Sequence, residues 1–313
     1  TAIATDVRLF EISHDEAVLN GVKVASFTST HSKYNEHLPG AIGWVSLGLL
    51  SDTLIYKCTL KEYHNDGAVA NTGGQVVRLE VDACTQTGGL NGQRGLSFYQ
   101  KAGYAVGCYF HDCSGVLPGG NVRIDGGTVD RCRIVANGIK TFGVDNSNYN
   151  PGAGVYMTGG VLKNSQIIGN TAENSTAGLY VEGNAVVSNC TFTGCSAKTW
   201  GGGVSGIGRY QGADNSQVVG CKFERCVASE NGGGGVDNIH TVYDCQFTDC
   251  TALEGGGARD VMTADTCTFD NCNCTRVTNS ESFAYTTIHI EFAACCTIKT
   301  CVTGNDIIFS NEV

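Results

Sequence analysis

Cys221-Lys-Phe223-Glu-Arg-Cys226, Cys245-Gln-Phe247-Thr-Asp-Cys250 and Cys267-Thr-Phe269-Asp-Asn-Cys272 write one pattern three times within residues 221–272, and Cys190-Thr-Phe192-Thr-Gly-Cys195 precedes them as a fourth copy. A motif that returns every two to three dozen residues denotes a repeat architecture, in which each copy is one turn of the same structural unit. Working outward, the pattern is better read by side-chain size than by cysteine. Positions 1, 3 and 6 hold small or apolar residues, and positions 2, 4 and 5 are mostly polar.

Read that way it covers almost the whole chain of 313 residues: Val22/Val24/Phe27, Cys58/Leu60/Tyr63, Leu79/Val81/Cys84, Cys108/Phe110/Cys113, Cys132/Ile134/Asn137, Ser165/Ile167/Asn170, the four Phe copies, and Cys296/Ile298/Cys301. The first positions of these eleven turns lie 36, 21, 29, 24, 33, 25, 31, 24, 22 and 29 residues apart. A fixed motif on an irregular period means variable loops between invariant strands.

Positions 1 and 3 share a strand face because side chains alternate with period 2. Position 6 breaks that parity, so the backbone bends to turn it inward. Asn137 and Asn170 are expected in this bend, where Asn tolerates left-handed backbone and bonds nearby peptide groups. A second strand is marked by Gly and an apolar residue at Gly154-Val155, Gly178-Leu179, Gly203-Val204, Gly235-Val236 and Gly257-Ala258. Strand, bend, strand and loop in a unit of about 22 residues at its shortest describe one coil of an all-β, single-stranded parallel β-helix of about eleven coils, with internal Cys, Phe and Asn ladders. At ~4.8 Å per coil this is a rod of roughly 50 Å. Leucine-rich repeats need a Leu-x-x-Leu-x-Leu frame that the sequence lacks, and propellers need four strands per ~40 residues. Only Asp15 to Leu19, or the region near Ser282, suits one short helix.

With 43 Gly, 3 Pro and 16% charged residues, the composition suits many tight corners and a thinly charged surface. The motif crosses every candidate boundary, so residues 1–313 read as one elongated domain: irregular coils over 1–104, regular coils over 105–275, and last coils over 276–313 that look uncapped. Strand-like Val7-Arg-Leu9-Phe-Glu-Ile12 and Asp306-Ile-Ile-Phe-Ser310 leave little room for caps, which points to a piece of a longer solenoid or to end-to-end self-association. No apolar run is long enough to span a membrane. A net charge of −10 without Lys/Arg clusters argues against nucleic acid. It leaves room for Ca2+, although no cofactor is required.

Seventeen cysteines is an odd number, so at least one thiol is unpaired within the chain. Their four-residue gap, without interleaved His, does not match a zinc site. Cysteines recurring at one motif position act instead as small hydrophobic fillers of a column, mostly reduced, although some disulfides remain compatible with the ~4.8 Å coil spacing.

Phe-x-x-Asn or Phe-x-x-Cys followed by Gly-Gly and an apolar residue resembles the repeat of polymorphic outer-membrane proteins and related autotransporter-type adhesins, closely over about residues 105 to 275. The resemblance implies a right-handed helix and an extracellular or cell-surface structural or adhesive module whose partners are carbohydrate or host-surface proteins. Right-handed β-helices also carry pectate-lyase-like and polygalacturonase-like activities, so a polysaccharide lyase or glycoside hydrolase is the alternative. Such enzymes use outward carboxylates and a basic residue on adjacent strands. Here Glu182, Asp237, His240, Arg259 and Asp260 occupy outward places after the Gly-apolar strand and converge if coils stack in register. Polar residues leaving a strand for solvent are ordinary, however, and the Asn-x-Asp, Asp-Asp and Arg-x-Lys trio of polygalacturonases is missing. His111 and Asp112 read as structural. On the longer loops Tyr34, Phe142, Tyr149, Trp200 and Tyr210 are candidate ligand contacts.

Overall fold

A computed structural model describes residues 3–5, 8–30, 40–61, 67–87, 95–115, 120–139, 152–173, 175–207, 215–230, 232–253, 255–275, 288–294, 296–299 and 308–311. One coil shows how they fold. Val204–Gly206 and Gln217–Val219 run in one sheet, and the chain then turns into Lys222–Glu224 and again into Val227–Ala228, each in a sheet of its own. The motif strands are called the first sheet here, the strands after position 6 the second, and the paired strands before position 1 the third. Among the described residues the first and second sheets each have eleven strands, all parallel, and each strand inside a sheet is hydrogen-bonded to the coil before and the coil after. The molecule is therefore the expected parallel β-helix, with four strands to a typical coil where the sequence marked two. The strand just before position 1 and the strand just after position 6 were the ones without a signal.

Inward third positions form one register line in the first sheet: Val24, Ile55, Val81, Phe110, Ile134, Ile167, Phe192, Phe223, Phe247, Phe269 and Ile298. Apart from Ile298, whose side chain lies outside the description, all are buried. The rings Phe192, Phe223, Phe247 and Phe269 stack at 4.9, 4.7 and 4.6 Å with planes within 7°. Those spacings are the coil repeat itself. They also explain the Gly-Gly signature. A Cβ on Gly203, Gly235 or Gly257 would come within 2.5 to 2.6 Å of the Phe223, Phe247 or Phe269 ring of its own coil. Glycine makes room for the large ring, and Phe fills the space that Gly leaves.

The line corrects one turn of the motif. Val24 pairs with Ile55, and Ile55 with Val81, so the second turn is Thr53/Ile55/Cys58 rather than Cys58/Leu60/Tyr63. Cys58 is a sixth-position residue, and Leu60 is the buried residue of the following strand.

The bends are also placed differently from the expectation. Left-handed backbone falls on the residue before position 1 and on position 5, as at Asn164 and Gly169, Gly220 and Arg225, Asp244 and Asp249, or Thr266 and Asn271. Two such corners swing the chain from sheet to sheet. They cost ~1–2 kcal/mol where a Cβ-bearing residue other than Asn or Asp occupies them, as Arg225 and Thr266 do, so packing must hold them. Asn137 and Asn170 are not themselves left-handed; Ala136 and Gly169 are. The Asn side chains point inward and join coils: Asn137 Nδ2 donates to Phe110 O at 3.1 Å, Asn170 Nδ2 donates to Ile134 O at 3.1 Å, and the amides of Cys113 and Asn137 donate to the Oδ1 of Asn137 and Asn170 at 3.0 Å.

Every described cysteine is a free thiol, and all are buried except half-buried Cys274 and Cys296. Their Sγ atoms donate weak bonds to main-chain carbonyls, as Cys245 does to Tyr243 O at 3.3 Å and Val218 O at 3.5 Å. Where Ser165 takes the first position, its Oγ donates to Lys163 O at 2.7 Å in the same way. No helix is present among the described residues. Asp15 to Leu19 forms a turn leading into the strand Val18–Asn20, and Ser282 lies outside the description. The strand character near both ends is realised as Phe10–Ile12 and Ile308–Asn311. No described helix is long and apolar enough to cross a membrane.

Candidate functional site

In the third sheet, residues flanked on both sides by inward neighbours stand outward and line up from coil to coil. Tyr99 pairs with Arg123, Arg123 with Tyr156, Tyr156 with Tyr180, Tyr180 with Ser205, Ser205 with Asp237 and Asp237 with Arg259. The alternation rule puts these side chains on one face because Val122 and Ile124, Val155 and Met157, or Leu179 and Val181 fill the interior around them. Earlier in the same line stand Glu11, Trp44 and Ala70.

The upper part of this column is an aromatic and arginine cluster closed around Asp125. Arg123 Nε donates to Asp125 Oδ1 at 2.7 Å, Thr158 Oγ1 donates to the same oxygen at 2.7 Å, and Tyr99 OH donates to Oδ2 at 2.9 Å. Burial pushes the Asp125 carboxyl up, but Arg123, Thr158 and Tyr99 together outweigh it and hold the group below the usual carboxylate range. The Arg123 guanidinium also lies over the Tyr156 ring at 4.5 Å, and Tyr156 leans on Tyr180 with ring centres 5.9 Å apart. Tyr156 OH donates to Glu182 Oε2 at 3.1 Å. Burial first, and then the Glu182 charge, raise the Tyr156 phenol well above its ordinary value.

The lower part holds the sequence candidates. Asp237 is fully buried, and Arg259 grips it with both arms of the fork: Nε to Oδ1 at 2.6 Å and Nη2 to Oδ2 at 3.2 Å. Ser205 Oγ donates to Asp237 Oδ2 at 3.5 Å, and Asp260 Oδ2 lies 3.6 Å from Arg259 Nε. Burial pushes the Asp237 carboxyl up; Arg259 pulls it back in part, Asp260 adds to the rise, and the balance lies above the ordinary value. Of the five carboxylate, His and Arg candidates, the register thus brings Asp237, Arg259 and Asp260 together. Glu182 belongs to the Tyr156 cluster instead, and His240 bonds its neighbour Thr241, Nδ1 to Oγ1, at 2.9 Å. Trp200 is half-buried just before the Gly201-Gly-Gly203-Val204 run, while Tyr34, Phe142, Tyr149 and Tyr210 lie outside the described residues.

Tyr99, Arg123, Asp125, Tyr156 and Tyr180 were missed from sequence. The signal was there in Phe98-Tyr99-Gln100, Val122-Arg123-Ile124, Val155-Tyr156-Met157 and Leu179-Tyr180-Val181. In each, a large aromatic or Arg residue stands between two residues whose side chains face the interior, at the point where the Gly-apolar strand begins or one turn earlier.

The column braces neighbouring coils through ion pairs, ring contacts and phenol–carboxylate bonds, and it places acids beside an arginine. Chemically it offers fixed counter-ions, and at its half-buried members Trp44, Arg123 and Tyr156 it offers contact surface.

The family described as right handed beta helix region matches residues 135–274. No curated protein matches the chain. Among solved structures the chain is similar to the tailspike protein gp208 of Dettilon, at 10% identity and a TM-score of 0.29, over 90% of this chain and 62% of the tailspike chain. The chain thus spans under two thirds of that protein's length. The coil architecture and the family match over residues 135–274 together make this protein a right-handed parallel β-helix.

Proposed function

We propose that this β-helix is an extracellular or cell-surface structural and adhesive module, contacting carbohydrate or surface proteins with its outward face and loops rather than cleaving a substrate. One observation carries the reading: Asp237, the acid best placed for catalysis, is fully buried, with both oxygens engaged by Arg259 of the next coil. A carboxylate in that state braces two coils and touches no substrate. Asp125 and Glu182 are likewise engaged by neighbouring coils.

The second reading, a polysaccharide lyase or glycoside hydrolase, is favoured by the burial-raised Asp237 carboxyl beside Asp260, because shifted acids cluster at active sites. Incubation with uronic-acid polymers, with and without Ca2+, separates the two. The adhesive reading expects retention on immobilised polysaccharide or cell surfaces and no shortening of polymer chains. Cleavage that Asp260→Ala or Glu182→Ala abolishes would overturn it.

A further inference from the structure

A different sheet carries a cluster of metal-ligating groups that the column does not include. Glu80 and Asp82 stand at the outward ends of one first-sheet strand, Glu80–Asp82, and His111 lies directly across from Asp82 on the next, Tyr109–His111. One ligand atom from each of Glu80, Asp82 and His111 lies within 4.8 Å of the other two.

The arrangement around the imidazole is asymmetric. Nδ1 faces two carboxylates, Asp82 Oδ1 at 3.4 Å and Asp112 Oδ2 at 2.8 Å, whereas Nε2 faces Glu80 Oε1 at 3.2 Å. A metal-bound imidazole needs one nitrogen for the ion, and its other N–H is usually given to a carboxylate that fixes tautomer and ring orientation. Asp112, 2.8 Å from Nδ1, stands where that partner belongs. Ligands of a tetrahedral ion at ~2.0–2.1 Å sit about 3.3 Å from each other, so Glu80, 3.2 Å from Nε2, is already near its working place, and Asp82 is the third group of the cluster.

The ring is held in position from its flank. Tyr109 stacks on His111 with centres 3.9 Å apart and planes 19° apart, and the Arg133 guanidinium lies over Tyr109 at 4.8 Å. The His111 side chain is only 11% exposed, but those of Glu80 and Asp112 are 45% and 60% exposed, so an ion has a path in and water can complete its shell.

We propose that His111 Nε2, Glu80 and Asp82 bind one divalent transition-metal cation of the Zn2+ or Mn2+ kind, with Asp112 accepting the Nδ1 proton. One nitrogen and carboxylate oxygens suit these ions better than Cu(I), which prefers thiolate, or Ca2+, which takes all-oxygen shells. The reading sharpens the role of His111 and Asp112, which the sequence marks only as outward or bend positions of a coil.

The test uses the full reduced chain. Calorimetric titration with ZnCl2, MnCl2 and CaCl2 is expected to find one Zn2+ or Mn2+ per chain, with affinity at least tenfold lower in both His111→Ala and Glu80→Gln, and circular dichroism confirms that each variant is folded. Asp112→Asn is expected to weaken binding less than either. The buried thiols are the competing ligands, so Co2+ spectra decide between them: bound Co2+ is expected without a thiolate charge-transfer band. Absence of Zn2+ and Mn2+ binding, binding that both ligand variants leave unchanged, or a thiolate band would overturn the proposal.

Discussion

Phe247 and Phe269 stack face to face with ring centres 4.6 Å apart and planes 6° from parallel, each pressed against a glycine of its own coil. The interior of the rod is therefore a set of columns in which volume is shared between a motif position and the glycine that faces it. A substitution is judged against its column rather than against its sequence neighbours.

Gly235→Ala puts a methyl carbon 2.5 Å from both the Phe247 ring and the Gly257 carbonyl oxygen, a distance real contacts do not show, and only the ring can be trimmed by substitution. The expected cost is about 1–3 kcal/mol from overpacking. Adding Phe247→Leu to Gly235→Ala should recover part of that loss, although Phe247→Leu alone destabilises. Chemical denaturation of the two single variants and the double variant reads this directly, and additive losses would show that ring and glycine do not share space.

The cysteine columns predict tolerance of the right isostere. Cys190 Sγ donates to Ser188 O at 3.3 Å, the same bond that Ser165 makes one coil earlier in the same column. Cys190→Ser should cost within about 1 kcal/mol because the hydroxyl keeps a carbonyl partner, whereas Cys190→Leu should cost about 1–3 kcal/mol by overpacking. In the native protein the buried thiols should resist an aqueous thiol reagent, and all 17 cysteines should react in denaturant. A denatured count lower by two for each bridge would reveal disulfides.

Asp125 sets an acid limb. Its carboxyl is held below the ordinary value of 3.8 in the folded state, so its contribution is present above that pH and is lost as pH falls through the lower folded value. Melting temperature should fall as pH drops below about 4. In Asp125→Asn the midpoint should be lower at neutral pH and the acid limb shallower. An unchanged acid limb would mean that the Arg123, Thr158 and Tyr99 contacts do not favour the charged form.

How far the fold was legible follows from what the columns contain. Ten of the eleven first-sheet turns were readable because position 3 always carries Val, Ile or Phe. The second turn was misaligned because the step from position 6 to the next inward residue has the same spacing as the step from position 1 to position 3. In most other turns that next residue is small, as at Ala197, Ala228 and Ala252, but after Cys58 it is Leu60. The corners were mislocated because positive backbone angles fall on residues as varied as Ala136, Arg225 and Thr266, whose side chains do not announce them. The candidate site was half legible: Asp237, Arg259 and Asp260 carry the charges that a search for catalytic groups looks for, while Tyr99, Arg123 and Tyr156 come together only through the register of three successive coils.

Charges on the third sheet brace neighbouring coils, and the Asp237–Arg259 pair is the most direct instance. A double-mutant cycle with Asp237→Ala, Arg259→Ala and the double variant, followed by chemical denaturation, measures the coupling between them. Arg259→Ala should be the costlier single change, about 3–5 kcal/mol, because it leaves a buried carboxylate without its partner. The double variant should be closer to wild type than the sum of the singles, with a coupling of at least ~1 kcal/mol. Additive single losses, with coupling near zero, would contradict the bracing role and return Asp237 to the catalytic reading.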